Sequence, residues 1–177
     1  MIVKNIANII TLTRLIGSLL LPFVPALSRE FFIIYTYCGV TDVLDGFIAR
    51  KTHTESKFGS RLDSVSDLTF YTIMMIMIMP YLREYLPQYV WIIIYITFII
   101  RIALYSYVGI TKHKLISNHT LFNKATGFFL FILPYVIKTK YFIPYSTFLS
   151  LLALVAALYE IYLVFIKKRI SDEKLKA

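Results

Sequence analysis

Six apolar segments alternate with short polar connections along the chain. They run about Leu12–Leu27, Phe31–Arg50, Ser60–Leu82, Gln88–Thr111, His119–Ile137 and Tyr141–Ile166. Charges inside them are few. Asp42 and Asp45 lie in the second, Asp63 and Asp67 open the third, and the fourth carries a lone Arg101. Lys124 is near the start of the fifth, and Glu160 is in the sixth. Crossing about 30 Å of hydrocarbon takes roughly 20 helical residues at 1.5 Å each. Every segment meets or nearly meets that length. Backbone groups in lipid must be satisfied internally, so the segments are helices, and the two-residue alternation of a β-barrel is absent. The pattern predicts an all-α integral membrane protein with six transmembrane helices, forming a single domain over residues 1–177. Residues 1–14 are mildly amphipathic and are expected to lie along the interface before the first crossing. Residues 167–177 are expected to be a polar cytoplasmic tail. A signal peptide, with Lys4 and Arg14 as its charged region and Leu15 to Val24 as its apolar one, lacks a small-x-small cleavage site.

Composition agrees. Of 177 residues, 58% are hydrophobic and 16% charged, with mean hydropathy +0.70. A soluble domain is nearer half apolar and a quarter charged. The single cysteine, Cys38, excludes an internal disulfide. The net charge of +9 comes from nineteen basic against ten acidic residues. No basic cluster is interleaved with aromatics on a polar surface, so nucleic acid is excluded as a partner. The basic residues instead set orientation. The N-terminus, the 50–61 and 110–118 connections and the C-terminus carry twelve of them; the opposite side carries Arg29, Arg83, Lys138 and Lys140. Positive charge stays inside, so both termini are expected in the cytoplasm, as an even number of crossings requires. The compact length and the lack of a transit peptide suggest a prokaryotic plasma membrane.

Four of the ten acids fall in one 26-residue stretch, Asp42 to Asp67. Asp42 and Asp45 are i, i+3; Asp63 and Asp67 are i, i+4; each pair therefore shares a helix face. Two adjacent antiparallel helices can aim all four at one pocket near the cytoplasmic face. A charged carboxylate in a spanning helix costs about 2.5–3.5 kcal/mol even on the lenient insertion scale, so four would cost on the order of 10 kcal/mol. Arg50 and Arg61 sit at the helix ends, and the sequence offers no comparable basic set on the same faces. Divalent metal is the expected compensation. Oxygen ligands without a Cys/His set select Mg²⁺, Mn²⁺ or Ca²⁺ over zinc. Two ions on four aspartates would form a phosphoryl-transfer centre. Gly46, Ala49 and Gly59 share faces with the acids and would admit a bulky ligand, or serve helix packing. Arg50 can clamp a phosphate at the pocket mouth or anchor the helix end.

The run Asp42-Val-Leu-Asp45-Gly46-Phe-Ile-Ala49-Arg50, eight residues, Gly59, three residues, Asp63, three residues, Asp67 resembles the signature of the CDP-alcohol phosphotransferase family at every fixed position. Eight positions at fixed spacing make a specific signal. The resemblance implies a six-helix membrane enzyme, usually a homodimer, with its site open to the cytoplasm. Such enzymes move a substituted phosphate from a CDP-linked donor, commonly CDP-diacylglycerol, to an alcohol acceptor and release CMP. Carried over, Asp42, Asp45, Asp63 and Asp67 would ligate Mg²⁺ or Mn²⁺, with Asp67 also the general base. Asp42, Gly46, Ala49, Arg50 and Gly59 would form the CDP site.

The acceptor is less defined. Arg101 reads either as an acceptor-phosphate ligand or as the partner of Glu160. Lys124 is the second candidate for an acceptor phosphate, ahead of Lys112 and Lys114. His53, in the loop between the acid pairs, reads as solvated. Asn8, Thr11 and Arg14 resemble the N-terminal pattern of phosphatidylglycerophosphate synthases, with Ala7 where a proline is usual. Ser64 after the third aspartate is closer to phosphatidylserine synthases. Glycerol-3-phosphate is the expected acceptor, with serine, inositol or inositol phosphate as alternatives. A divalent-cation transporter is the rival from another class, but it predicts acids spread along a mid-membrane path. A prenyltransferase would place its aspartate pairs far apart.

Overall fold

The structure is a computed structural model that describes residues 3–52, 56–112 and 120–167. Among these residues there are helices and turns and no strand. The helices are α1 (Val3–Leu20), α2 (Arg29–Lys51), α3 (Lys57–Tyr85), α4 (Gln88–Lys112), α5 (Leu121–Val136) and α6 (Phe142–Ile161). A 3-10 turn, Leu21–Phe23, follows α1, and α6 ends in wider π-helical turns over Tyr162–Lys167.

Among the described residues, four helical stretches are long and apolar enough to cross a membrane: Arg29–Ala49, Phe58–Tyr85, Gln88–Ile110 and Phe142–Phe165. Two apolar stretches are shorter, Asn8–Phe23 and Leu121–Val136. Sixteen residues of helix reach only about 24 Å. The first element departs from its expected bounds at both ends. One helix runs from Val3 through the stretch expected to lie at the interface, so residues 3–14 and the first apolar segment are continuous. It stops at Leu20 because Pro22 enters the next turn and Pro25 follows. Leu27, buried and at φ 58°, completes the reversal into α2.

The chain divides between Glu84 and Tyr85 into two compact units. In the first, α1 packs along α2. Small residues let them approach: a Cβ on Gly17 would lie 3.0 Å from Cys38 Sγ. Each helix contributes one buried row. On α1 it is Thr11, Arg14 and Ser18, continuing to Leu21 in the turn. On α2 it is Phe31, Tyr35, Cys38, Thr41 and Asp45. On α3 it is Ser66, Phe70, Met74, Ile78 and Leu82, every fourth residue. Tyr35 stacks on both Phe31 and Phe70, at 5.5 and 5.2 Å between ring centres, which ties α2 to α3. All three rows turn polar toward one end of the unit, where the acids lie.

In the second unit, α6 packs against α4 and α5. Leu104, Val108 and Val164 form a small apolar cluster with Ile161. The Tyr145 hydroxyl donates to the Phe129 carbonyl at 2.6 Å, and Phe129 meets Phe148 edge-on. Large apolar side chains on both units point outward, among them Ile76, Ile99, Ile110 and Phe128. An all-α protein with this outer surface suits a hydrocarbon surround.

Candidate active site

The four aspartates converge within the first unit. Asp42 and Asp45 come from the second half of α2, and Asp63 and Asp67 from the first half of α3. The helical spacing that puts each pair on one face does what the sequence predicts. One carboxylate oxygen from each of Asp42, Asp63 and Asp67 lies within 4.8 Å of the others. These three side chains are partly exposed, whereas Asp45 is buried. Asp45 accepts a hydrogen bond from the Thr11 hydroxyl at 2.6 Å.

One cation opposes the acids from a third helix, beyond the two faces that carry them. Arg14 of α1 stands among all four. Its Nη1 donates to Asp42 Oδ1 and, at 2.6 Å, to Asp67 Oδ1. Its Nη2 donates to Asp63 Oδ1 at 2.5 Å and to Asp45 Oδ2 at 3.3 Å. The side chain is 1% exposed. Its Nε has no hydrogen-bond partner. Arginine is the cation suited to this place, because its planar fork presents several donors at fixed angles and stays charged. The backbone beneath it is fixed as well: Ser18 Oγ donates to the Arg14 carbonyl at 2.8 Å.

The donor set fits a hard divalent ion. Four carboxylates against one guanidinium leave three formal negative charges uncompensated. All available ligand atoms are oxygens, three of them convergent and reachable from outside. Further positive charge at the site would relieve an excess of that size in a helical bundle.

The other expected residues are placed as follows. Gly46 and Ala49 are half-buried on α2, toward its end. Arg50 belongs to the last turn of α2, and its side chain lies outside the described set. Gly59 faces α1: a Cβ there would meet Asn8 Oδ1 at 2.7 Å and Ser56 Oγ at 3.1 Å. His53, His113 and Lys114 lie outside the described residues.

Arg101 belongs to the second unit, in a polar network of its own. Its Nη2 donates to Asn123 Oδ1 at 2.9 Å and its Nη1 to the Tyr105 hydroxyl at 3.2 Å. Glu160 accepts from Asn123 Nδ2 and, at 3.3 Å, from Tyr105, and pairs with Arg101 at 3.9 Å. The Glu160 pairing that the sequence left open is therefore present. Lys124, the next residue after Asn123, is exposed.

In the sequence, Thr11 and Arg14 stand out only through a resemblance, with no link to the acids. A signal was there: Thr11, Arg14 and Ser18 fall at i, i+3 and i+7, a polar row on an otherwise apolar helix.

Three curated relatives align with parts of the chain. A CDP-diacylglycerol–serine O-phosphatidyltransferase of Methanocaldococcus jannaschii is 38% identical over 69 residues, 39% of this chain and 32% of the relative. CDP-diacylglycerol–glycerol-3-phosphate 3-phosphatidyltransferases of Wigglesworthia glossinidia brevipalpis and Pectobacterium atrosepticum are 34% and 30% identical, each over 46% of this chain and 47% of the relative. The chain thus spans a third to a half of the length of these relatives. No solved structure matches it. The family model described as CDP-alcohol phosphatidyltransferase matches residues 4–168, taking in the signature aspartates and the Arg14 that faces them. By that match, over nearly its whole length, the chain belongs to the CDP-alcohol phosphatidyltransferase family.

Proposed function

We propose that this protein makes phospholipid by moving the phosphatidyl group of CDP-diacylglycerol to an alcohol, glycerol-3-phosphate, with release of CMP. The observation that carries the proposal is the convergence of Asp42, Asp63 and Asp67 on one point, at the positions of the family signature. With Asp45 they would hold one or two Mg²⁺ or Mn²⁺ ions. Bound there, such ions neutralise the donor diphosphate and stabilise the departing phosphate.

The remaining work falls to side chains. Asp67, partly exposed and one turn beyond Asp63, takes the proton of the acceptor hydroxyl. That oxygen bonds to the phosphorus carrying diacylglycerol as the bond to the CMP phosphate oxygen breaks, in line with the attack. Gly46, Ala49 and Gly59 keep bulk out of the CDP side of the pocket, and Arg50 holds the diphosphate. A lipid-linked donor is supported by an open, apolar groove of about 810 Å³ along α3. It begins at Tyr71, one turn past Asp67, and runs by Met75 and Met79 to Arg83.

Glycerol-3-phosphate is favoured because two of the relatives above are named for it. Arg101 and Lys124 are its proposed phosphate ligands, Arg101 being oriented by Asn123 and Glu160. Serine is the second reading, supported by the remaining relative and by Ser64. The proposed setting is a homodimer in a prokaryotic plasma membrane, each chain crossing six times, with termini and site in the cytoplasm.

Purified protein given CDP-diacylglycerol and Mg²⁺ or Mn²⁺ is tested with glycerol-3-phosphate, serine, inositol and inositol phosphate. CMP and a phospholipid product are expected with glycerol-3-phosphate and are lost on chelation. Product with serine alone would move the assignment to the second reading. No CMP with any acceptor would reject the activity.

A further inference from the structure

Arg14 has no part in the transfer just described, yet it contacts every acid of the site. Its two terminal nitrogens take up one oxygen each from Asp42, Asp63 and Asp67. Those three carboxylates are also the ones whose oxygens converge closely enough to share an ion. A divalent ion sits about 2.0–2.6 Å from its oxygens. The guanidinium and an ion would each draw on the charge of the same three carboxylates, so each weakens their hold on the other.

The seating of Arg14 points the same way. A permanent structural arginine with a nearly fully buried side chain is expected to satisfy all its donors. Here Nε is buried without an acceptor. The head group is held by charge through its two tips.

We propose that Arg14 is a built-in counter-cation that exchanges with the divalent ion. It neutralises part of the acid cluster and holds α1, α2 and α3 together when the ion is away. It yields the oxygens of Asp42, Asp63 and Asp67 when the ion binds. Metal affinity is thereby set against an internal competitor, and the site loads only where the divalent ion is concentrated enough to displace it. The inference rests on the reading that these acids bind a divalent ion.

The test is Mn²⁺ binding to the full chain in detergent, followed by the loss of the free-ion electron paramagnetic resonance signal. The proteins are the wild type, Arg14→Gln and Arg14→Lys. Removing the competitor is expected to tighten Mn²⁺ binding at least tenfold in Arg14→Gln. Arg14→Lys, which keeps one charge but cannot span the acids, should fall between. Should Arg14→Gln fail to fold, Arg14→Lys together with the wild type decides. In the wild type labelled with ¹⁵N-arginine, Mg²⁺ should speed hydrogen exchange of the Arg14 guanidinium more than tenfold. Equal or weaker Mn²⁺ binding in the variants, or an Arg14 signal that Mg²⁺ leaves unmoved while it binds, overturns the exchange and leaves the functional reading intact. No Mn²⁺ binding to wild type or variant overturns both.

Discussion

Asp67 and Gly59 show what single side chains decide. Asp67 combines access from outside with a place one turn from Asp63. Asp67→Asn keeps the shape and removes the proposed base, so kcat is expected to fall about 10²–10⁴-fold with little change in melting temperature. A steady-state assay beside a thermal unfolding curve separates the two effects. A matching loss of stability would mean that Asp67 serves the fold first. At Gly59 the neighbour is the tip of the Asn8 side chain. That tip can swing aside, so Gly59→Ala is expected to cost only about 1 kcal/mol or less of stability. Asn8→Ala should remove most of that penalty in a double-mutant cycle. Non-additivity of the two unfolding free energies is the measurement, and strictly additive values would show that the residues do not meet.

At the scale of elements, the closest helix approach is where overpacking acts. Gly17 lies against Cys38 Sγ, buried between α1 and α2 with no flexible tip to yield. Gly17→Val is expected to destabilise the first unit by about 1–3 kcal/mol. Unfolding curves of wild type and variant test this. In the second unit, Glu160 bridges α6 to Arg101 and Tyr105 of α4 and to Asn123 of α5. Its side chain is 2% exposed. Glu160→Leu strips these groups of a buried partner and is expected to cost about 2–3 kcal/mol, with Glu160→Gln milder because it still accepts hydrogen bonds. Both sites bear on what the sequence made legible. The acid pairs could be read because i, i+3 and i, i+4 spacings are properties of a single helix. Arg14 could not, because its partners lie 28 to 53 residues away on two other helices. The mild amphipathicity of residues 1–14 places it in an interfacial stretch. The limit of the first apolar segment was misplaced because hydropathy averages over Pro22 and Pro25, which end a helix regardless of how apolar they are.

For the whole molecule the governing quantity is the asymmetry of basic residues, twelve on one set of connections against four on the other. Among the described residues there are four helices of full spanning length and two apolar stretches of about 24 Å. A short helix can still cross if the bilayer thins locally or flanking lysines and arginines reach for the interface, at a fraction of a kcal/mol per Å of mismatch. Six crossings then place the α2–α3 connection on the cytoplasmic side, and the α3–α4 and α5–α6 connections outside. Cys38 is the chain's single cysteine. Cys38→Ser therefore gives a background in which one new cysteine reports one position. Lys51→Cys should resist a membrane-impermeant maleimide in intact cells and react after lysis. Glu84→Cys and Lys140→Cys should react in both. If the two short helices failed to cross, four spans would remain, and the α2–α3 connection would still lie on the side opposite Glu84. Lys140, however, would change sides relative to Glu84, because only α4 would separate them. Labelling of Lys140→Cys from outside is therefore the measurement that distinguishes six crossings from four.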